Sequence, residues 1–329
     1  MRNRTILVTG GAGFIGSHLV DRLLERNFKV IVLDDFSSGN INNIWHHLTN
    51  KGFKLVRGSV LDKELVYSVV SNVDLIVHLA AQVHVDRSIL EPEYTVQVNT
   101  IGTLNVLEAA RKHEVELIIH MSSCEVYGTA RYVPMDEKHP LNPTSPYAAS
   151  KAAADRLAYS YYNTYKLPVV IVRAFNVYGP RQRDKGYAAV IPKFIRRVLG
   201  RRPPVIYGDG KQTRDYLYVD DMIRALELVM EHGEKLVGMA VNIGSGCEVS
   251  ILELAYKILE LADMQSELKP VFAPSRPGEV RRLIADIELA ERELGFRPSI
   301  PLEEGLKRLI EWYKGGGYDA WRAYVYEEL

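Results

Sequence analysis

TILVTGGAGFIG, residues 5–16, is the stretch on which the fold turns. Thr5 to Thr9 are largely apolar and β-branched, and their length suits a buried strand. Glycines at 10, 13 and 16 follow. Apolar residues then recur at helical spacing over 14–26 (Phe14, Ile15, Leu19, Leu23). A strand that ends in glycines and opens a helix lets backbone approach a pyrophosphate closely. The helix start supplies free N–H groups and partial positive charge. The next strand, Lys29 to Leu33, delivers Asp34 near the separation expected of a ribose-binding carboxylate. Asp34 would accept from both adenosine-ribose hydroxyls and repel a 2′-phosphate. No arginine directly follows it, so NAD is favoured over NADP.

Outward from this unit the alternation continues. Strands are expected at 54–56, 74–78, 116–120 and 169–172, with helices between them, notably 94–113 and 146–165. Near-continuous apolar strands separated by helices imply a parallel sheet covered on both faces. The second half carries more proline and glycine, with strands at 214–219 and 239–243 and helices at 220–231, 251–261 and 302–313. Residues 318–329 read as a short amphipathic helix.

Composition narrows the function. Lys+Arg and Asp+Glu are both 41, so net charge argues against a nucleic-acid or membrane surface. No stretch reaches the roughly 20 apolar residues of a membrane span. The first residues do not read as a signal peptide, and a cytoplasmic location is expected. Two cysteines, Cys124 and Cys247, cannot build a disulfide framework, and no His/Cys spacing suggests a metal.

SPYAASK (145–151) holds a second signal. Ser145 suits a helix N-cap and Pro146 the first helical position. Tyr147 and Lys151, four apart, share one helix face. An ammonium and a positive nicotinamide would lower the phenol's pKa, so that Tyr147 takes a proton from a sugar hydroxyl; Lys151 would also hold the nicotinamide ribose.

With Ser122-Ser123, these motifs resemble the extended short-chain dehydrogenase/reductase family, mostly nucleotide-sugar epimerases, dehydratases and decarboxylases. The resemblance spans essentially the whole chain, through HLAAQVHVDRS (78–88), NTIGT (99–103), RAFNVYGPRQ (173–182), YGDGKQTRDYLYVDD (207–221), NIGSG (242–246) and RPGEVRR (276–282). It implies a Rossmann-type doubly wound parallel sheet that binds NAD over 1–175. A smaller α/β nucleotide-sugar lobe would occupy 176–329, with about 215–245 returning to the large domain. The resemblance also implies a homodimer paired through helices 94–113 and 146–165. It places Gly10, Gly13, Phe14, Ile15, Gly16, Asp34, Val60, Leu79, Ala80, Ala81, Asn99, Ser122, Tyr147, Lys151 and Phe175 around NAD. Ser59 stands where the family usually has an adenine-contacting Asp. Asn176 is expected at the sugar-nucleotide pyrophosphate, Arg214 and Arg276 as its clamp, and Tyr207 near the base.

SSCEVYG (122–128) bears on the reaction. The resemblance makes Ser123 the catalytic hydroxyl at the sugar 4-position. Plain 4-epimerases usually have small or non-acidic residues at the next two positions. The 4,6-dehydratases read Thr-Asp-Glu-Val-Tyr, whose Glu removes the carbon-five proton and whose Asp protonates the leaving 6-hydroxyl. Here Glu125 takes the place of that Glu and Cys124 that of the Asp. Some relatives described as UDP-N-acetylglucosamine 5,6-dehydratases carry Cys-Glu, whereas HVDRSI (84–89) and LNPTSPYAASKAAAD (141–155) resemble dTDP-glucose 4,6-dehydratases. A thiol is mostly protonated at neutral pH and can act as a general acid. The plainer alternatives are that Cys124 is a small apolar filler and that Glu125 points at solvent or Arg87. Three functions follow from these residues: an NAD-dependent dehydratase of a UDP- or dTDP-hexose, a UDP-glucose-type 4-epimerase using the same Tyr147 and Ser123, and a non-enzymatic NAD sensor or scaffold.

Overall fold

The computed structural model describes residues 4–184, 186, 188–275 and 279–317. Its centre is a seven-stranded parallel sheet. In chain order its strands are β1 (Thr5–Thr9), β2 (Lys29–Asp34), β3 (Phe53–Arg57), β4 (Leu75–His78), β5 (Leu117–Ser123), β6 (Val169–Ala174) and β7 (Ala240–Ile243). In space they run β7-β6-β5-β4-β1-β2-β3. The order reverses between β1 and β4, and such a switch point opens a crevice at the carboxyl ends of the strands. β7 comes from the second half of the chain and pairs parallel with β6.

Alternation along the strands sets the two faces. Ile6 and Val8 join a core with Leu19, Val20 and Leu23 of helix α1 (Phe14–Glu25), and with Leu226 and Val229 of helix 219–232. Leu7, Ile76, Ile118 and Ile171 face the other way, onto Val66, Val106, Leu107 and Ala158. Each fully buried Leu or Ile contributes roughly 1.5–3 kcal/mol. The doubly covered sheet is what the alternating sequence pattern leads one to expect. A smaller cluster (Cys124, Val126, Tyr127, Met135, Phe175, Val280, Leu283, Ala285) lies under residues 124–127.

Helix α2 (Pro146–Tyr165) matches its expected limits because its start is chemically marked: Ser145 Oγ accepts from Ala148 N at 3.1 Å, and Pro146 occupies the first turn. The helix expected over 94–113 is interrupted. A helix over Pro92–Val96 and a helix over Gly102–Lys112 are joined by a wide π turn, Gln97–Ile101. The helix expected over 318–329 lies outside the described residues. No described helix is long and apolar enough to cross a membrane. A three-stranded sheet (Glu248–Ser250, Thr213–Tyr218, Asn176–Tyr178) and a two-stranded one (Val271–Ala273, Val205–Tyr207) belong to the second half.

Candidate active site

A cavity of about 1190 Å³ opens at the switch point and runs from Asp34 to Tyr207. The glycine turn forms one wall. Gly10 has φ +69°, and a Cβ there would sit 2.8 Å from Ala80 N; a Cβ on Gly16 would lie 2.2 Å from Gly10 O. Only glycine lets the turn fold this tightly. Gly13 caps α1 with no side-chain bond, and the first turn carries no acidic residue, so the helix start faces the cavity uncompensated. Across from it, buried Asp34 accepts from Ala12 N at 2.9 Å and Phe36 N at 2.8 Å. Burial pushes its pKa up, while those two bonds oppose the shift. An uncapped helix start, an unobstructed glycine wall and an adjacent carboxylate suit a dinucleotide's diphosphate and ribose diol.

The reactive end is built where β5 and β6 finish. The strand runs on through Ser122 and Ser123, beside Arg173 and Ala174 of β6. A 3₁₀ turn, Cys124–Tyr127, follows, and Ser123 Oγ accepts from Glu125 N at 3.2 Å. Ser123 also donates to the phenol oxygen of Tyr147, which favours the phenolate. Burial outweighs that bond, and the nearby Glu125 and Cys124 add to it, so the Tyr147 pKa is raised. The lowered phenol pKa expected from the sequence counts on Lys151 and a positive nicotinamide together; among the protein's own groups burial prevails. Lys151 Nζ donates instead to the carbonyl of Met121, and burial pushes the Lys151 pKa down to about 8 against the pull of Asp155.

Glu125 turns neither to solvent nor to Arg87, which pairs with Glu91 at 2.9 Å. It lies half-buried on the cavity wall, its pKa raised by desolvation; Arg214 opposes the shift and Glu279 adds to it. Cys124 is buried beside it. Burial first, then Glu125, push the thiol well above its ordinary pKa, so it stays protonated.

A buried polar chain anchors this corner. Ser122 Oγ donates to Asp155 Oδ2 at 2.9 Å. Arg173 grips the same carboxylate through Nε at 2.9 Å and donates through Nη1 to the Tyr127 hydroxyl at 2.9 Å. Tyr127 in turn donates to Asn242 Oδ1 at 2.7 Å. Burial would raise the Asp155 pKa, but the Arg173 bond and charge, aided by Arg156, hold it down at about 2. The helix bearing Tyr147 and Lys151 is thereby tied to the turn bearing Cys124 and Glu125.

Of the residues singled out in the sequence, Gly10, Gly13, Phe14, Ile15, Gly16, Asp34, Val60, Leu79, Ala80, Ala81, Ser122, Ser123, Cys124, Glu125, Tyr147, Lys151, Phe175, Asn176, Tyr207 and Arg214 line the cavity. Asn99 and Ser59 do not. The π turn buries Asn99, which accepts from Gln82 N at 2.7 Å and donates to Ser150 Oγ at 2.9 Å, so it braces the wall from behind. Ser59 Oγ accepts from Leu61 N at 3.2 Å. Arg276 lies outside the described residues. Sequence reasoning missed Tyr216 and Glu279. Tyr216 lines the cavity, and its buried hydroxyl has no partner among the described residues. An orphaned phenol on a cavity wall suits a polyhydroxylated ligand. Its alternation within TRDYLY was the available signal.

Residues 7–309 match the family model described as GDP-mannose 4,6 dehydratase. The chain belongs to that family. It is a member of the nucleotide-sugar dehydratases and epimerases of the extended short-chain dehydrogenase/reductases, which its motifs resemble. A putative UDP-glucose 4-epimerase of Methanocaldococcus jannaschii is 42% identical over 94% of this chain and 98% of that protein. A dTDP-glucose 4,6-dehydratase of Actinoplanes sp. is 38% identical over 94% and 97%. Among solved structures, a dTDP-glucose 4,6-dehydratase from Streptomyces venezuelae, with NAD bound, superposes with a TM-score of 0.89 at 37% identity, covering 95% of this chain and 98% of that one. The UDP-glucose 4-epimerase of Thermotoga maritima, with UDP-glucose, gives 0.89 at 37%, covering 94% and 99%.

Proposed function

We propose that the protein is an NAD-dependent nucleotide-sugar dehydratase that oxidises carbon four of a UDP- or dTDP-hexose transiently and removes water across carbons five and six. The observation that carries this reading is the half-buried, desolvated carboxyl of Glu125 on the same wall as Tyr147 and Ser123. NAD, when bound, would supply a hydride acceptor for carbon four and the hydride that later returns to the sugar. The glycine turn and Asp34 would hold it, with Val60, Leu79, Ala80, Ala81 and Phe175 around it and Lys151 at the ribose. Tyr147 takes the proton of the 4-hydroxyl, and Ser123 donates to the phenol oxygen as negative charge develops there. Glu125 takes the carbon-five proton, made acidic by the ketone at carbon four. Cys124 delivers a proton to the departing 6-hydroxyl, a role open to a thiol that is protonated at neutral pH. Asn176 and Arg214, with Arg276, receive the diphosphate, and Tyr207 borders the base.

A 4-epimerase is the second reading. It rests on the Methanocaldococcus and Thermotoga relatives and on Tyr147 and Ser123, which both reactions need. Product mass separates the two. Incubation with UDP-glucose, UDP-N-acetylglucosamine and dTDP-glucose should yield a product lighter by one water; an unchanged mass with a new sugar would replace dehydration by epimerisation.

The reading extends to assembly and place. Residues 1–175, with 215–245, form the NAD-holding body, and the rest of 176–329 forms the sugar-nucleotide lobe. Val96, Ile101 and Tyr159 are exposed on the helices that would pair across a two-fold axis, so the protein is read as a homodimer. Light scattering that gives a monomer mass would reject this. Two free cysteines suit a reducing cytoplasm.

A further inference from the structure

Asp21 of α1 lies outside the active-site cavity and meets two consecutive histidines of the short 3₁₀ turn Trp45–His47. His47 Nε2 is 2.6 Å from Asp21 Oδ1, and His46 Nε2 is 3.1 Å from the same oxygen. The donor atoms of all three side chains lie within 4.8 Å of one another. Zinc bonds to imidazole and carboxylate run roughly 2.0–2.2 Å, so tetrahedral donor atoms stand roughly 3.4 Å apart. The Asp21–His47 contact, at 2.6 Å, opens by roughly 0.8 Å to admit the ion, a movement open to partly exposed side chains. The rings are already oriented: the two imidazole centroids are 4.0 Å apart, and His47 packs on Phe53 at 5.9 Å. The other carboxylate oxygen, Asp21 Oδ2, is held by Arg181 at 2.7 Å.

We propose that Asp21, His46 and His47 form a binding site for a divalent transition-metal ion of the zinc class. Two imidazoles and one carboxylate are the donor set such ions prefer, and three protein ligands leave further positions for water. Arg181 competes with the ion for the Asp21 carboxylate, and its charge weakens the site. Sequence spacing could not reveal the site, because His46 lies 25 residues from Asp21 and brings no CxxC or HxxxH pattern. The ion joins two parts of the nucleotide-flanking wall. Residues just before the histidines clip onto the glycine turn, Asn40 N donating to Ala12 O at 3.0 Å and Asn43 Nδ2 to the same oxygen at 2.9 Å. Arg181 stands in the loop that lines the cavity. A metal here pins the 40–47 segment to α1.

The test is titration of the full-length, tag-free, chelator-treated protein with zinc chloride, read by calorimetry and by metal content after dialysis. The expected result is one zinc per chain with micromolar affinity and a rise in Tm of a few degrees at saturation. The H46A/H47A variant should lose at least tenfold in affinity and the Tm shift with it. Arg181→Gln should bind zinc more tightly than wild type, since a competing cation has gone; a cluster held only by hydrogen bonds predicts no gain. Absence of stoichiometric zinc, or equal binding by the double-alanine variant, overturns the proposal. Thermal melting without metal checks that the variants fold.

Discussion

Replacing Glu125 by glutamine should separate oxidation from dehydration. The change keeps the shape of a half-buried side chain and removes its ability to take a proton. Loss of a positioned general base costs about 10²–10⁴ in rate, or about 2.7–5.4 kcal/mol in barrier. Water loss should fall by that factor, while Tyr147 and Ser123 still support oxidation at carbon four. Stability should move the other way. Desolvation raises the folded-state pKa of Glu125, so the folded chain binds a proton that the unfolded chain has already released. The sign is therefore that stability falls as pH rises through the ordinary carboxyl pKa of 4.5, and the loss is complete above the raised folded value. Glutamine carries no such cost. Glu125→Gln should melt higher than wild type at neutral pH, and the gap should close in acid. The assays are product mass, deuterium incorporation at carbon five from heavy water, and thermal melts across pH. Water loss within tenfold of wild type, or a variant that melts lower at neutral pH, would refute the reasoning.

Other perturbations test the rest of the corner. Cys124→Ala removes one buried heavy atom and should cost about 1 kcal/mol in stability. If the thiol is the acid, dehydration should drop about 100-fold or more while solvent exchange at carbon five survives; wild-type turnover would leave Cys124 as packing. The Lys151 ammonium, with its pKa near 8, should be lost as pH rises through that value, giving kcat/KM an alkaline limb there; a profile flat to about pH 10 would contradict this. Arg173→Met removes the buried partner of Asp155, leaving only the half-exposed Arg156 as counter-charge, and should cost about 3–5 kcal/mol by thermal or urea unfolding. The double variant with Asp155→Asn should recover much of it.

The parallel sheet was legible because burial on both faces writes itself as uninterrupted apolar runs. Helix α2 was legible to the residue because Ser145 and Pro146 mark its start chemically. What sequence reading shortened were strands that end in charged or polar residues. The strand read as 169–172 continues to Ala174, because the Arg173 charge is met by Asp155, eighteen residues earlier on a neighbouring helix. The strand read as 116–120 runs to Ser123, because its two serines find Asp155, Glu125 N and Tyr147. Periodicity also missed the π turn at Gln97–Ile101, since one inserted residue barely alters apolar spacing. Glu279 and Tyr216 reach the cavity from remote segments, and no local pattern announces such convergence.

The same comparison bears on which reaction the site performs. Oxidation and return at carbon four need a phenol, a hydroxyl donor and room for the sugar to turn. In the proposed mechanism Tyr147, Ser123 and the cavity supply these without help from Glu125. A carboxyl beside them is then a burden. It is desolvated, it pushes the Tyr147 phenol further from ionisation, and it faces a second carboxylate at Glu279. A hydrophobic residue of similar size would relieve all three effects. Strained or costly groups concentrate where chemistry uses them. A proton at carbon five, acidified by the neighbouring ketone, is the one substrate feature that repays an ionisable group at this depth. A half-buried, desolvated carboxyl on the wall of the proposed carbon-four oxidation site is therefore an argument for elimination, and only secondarily for inversion.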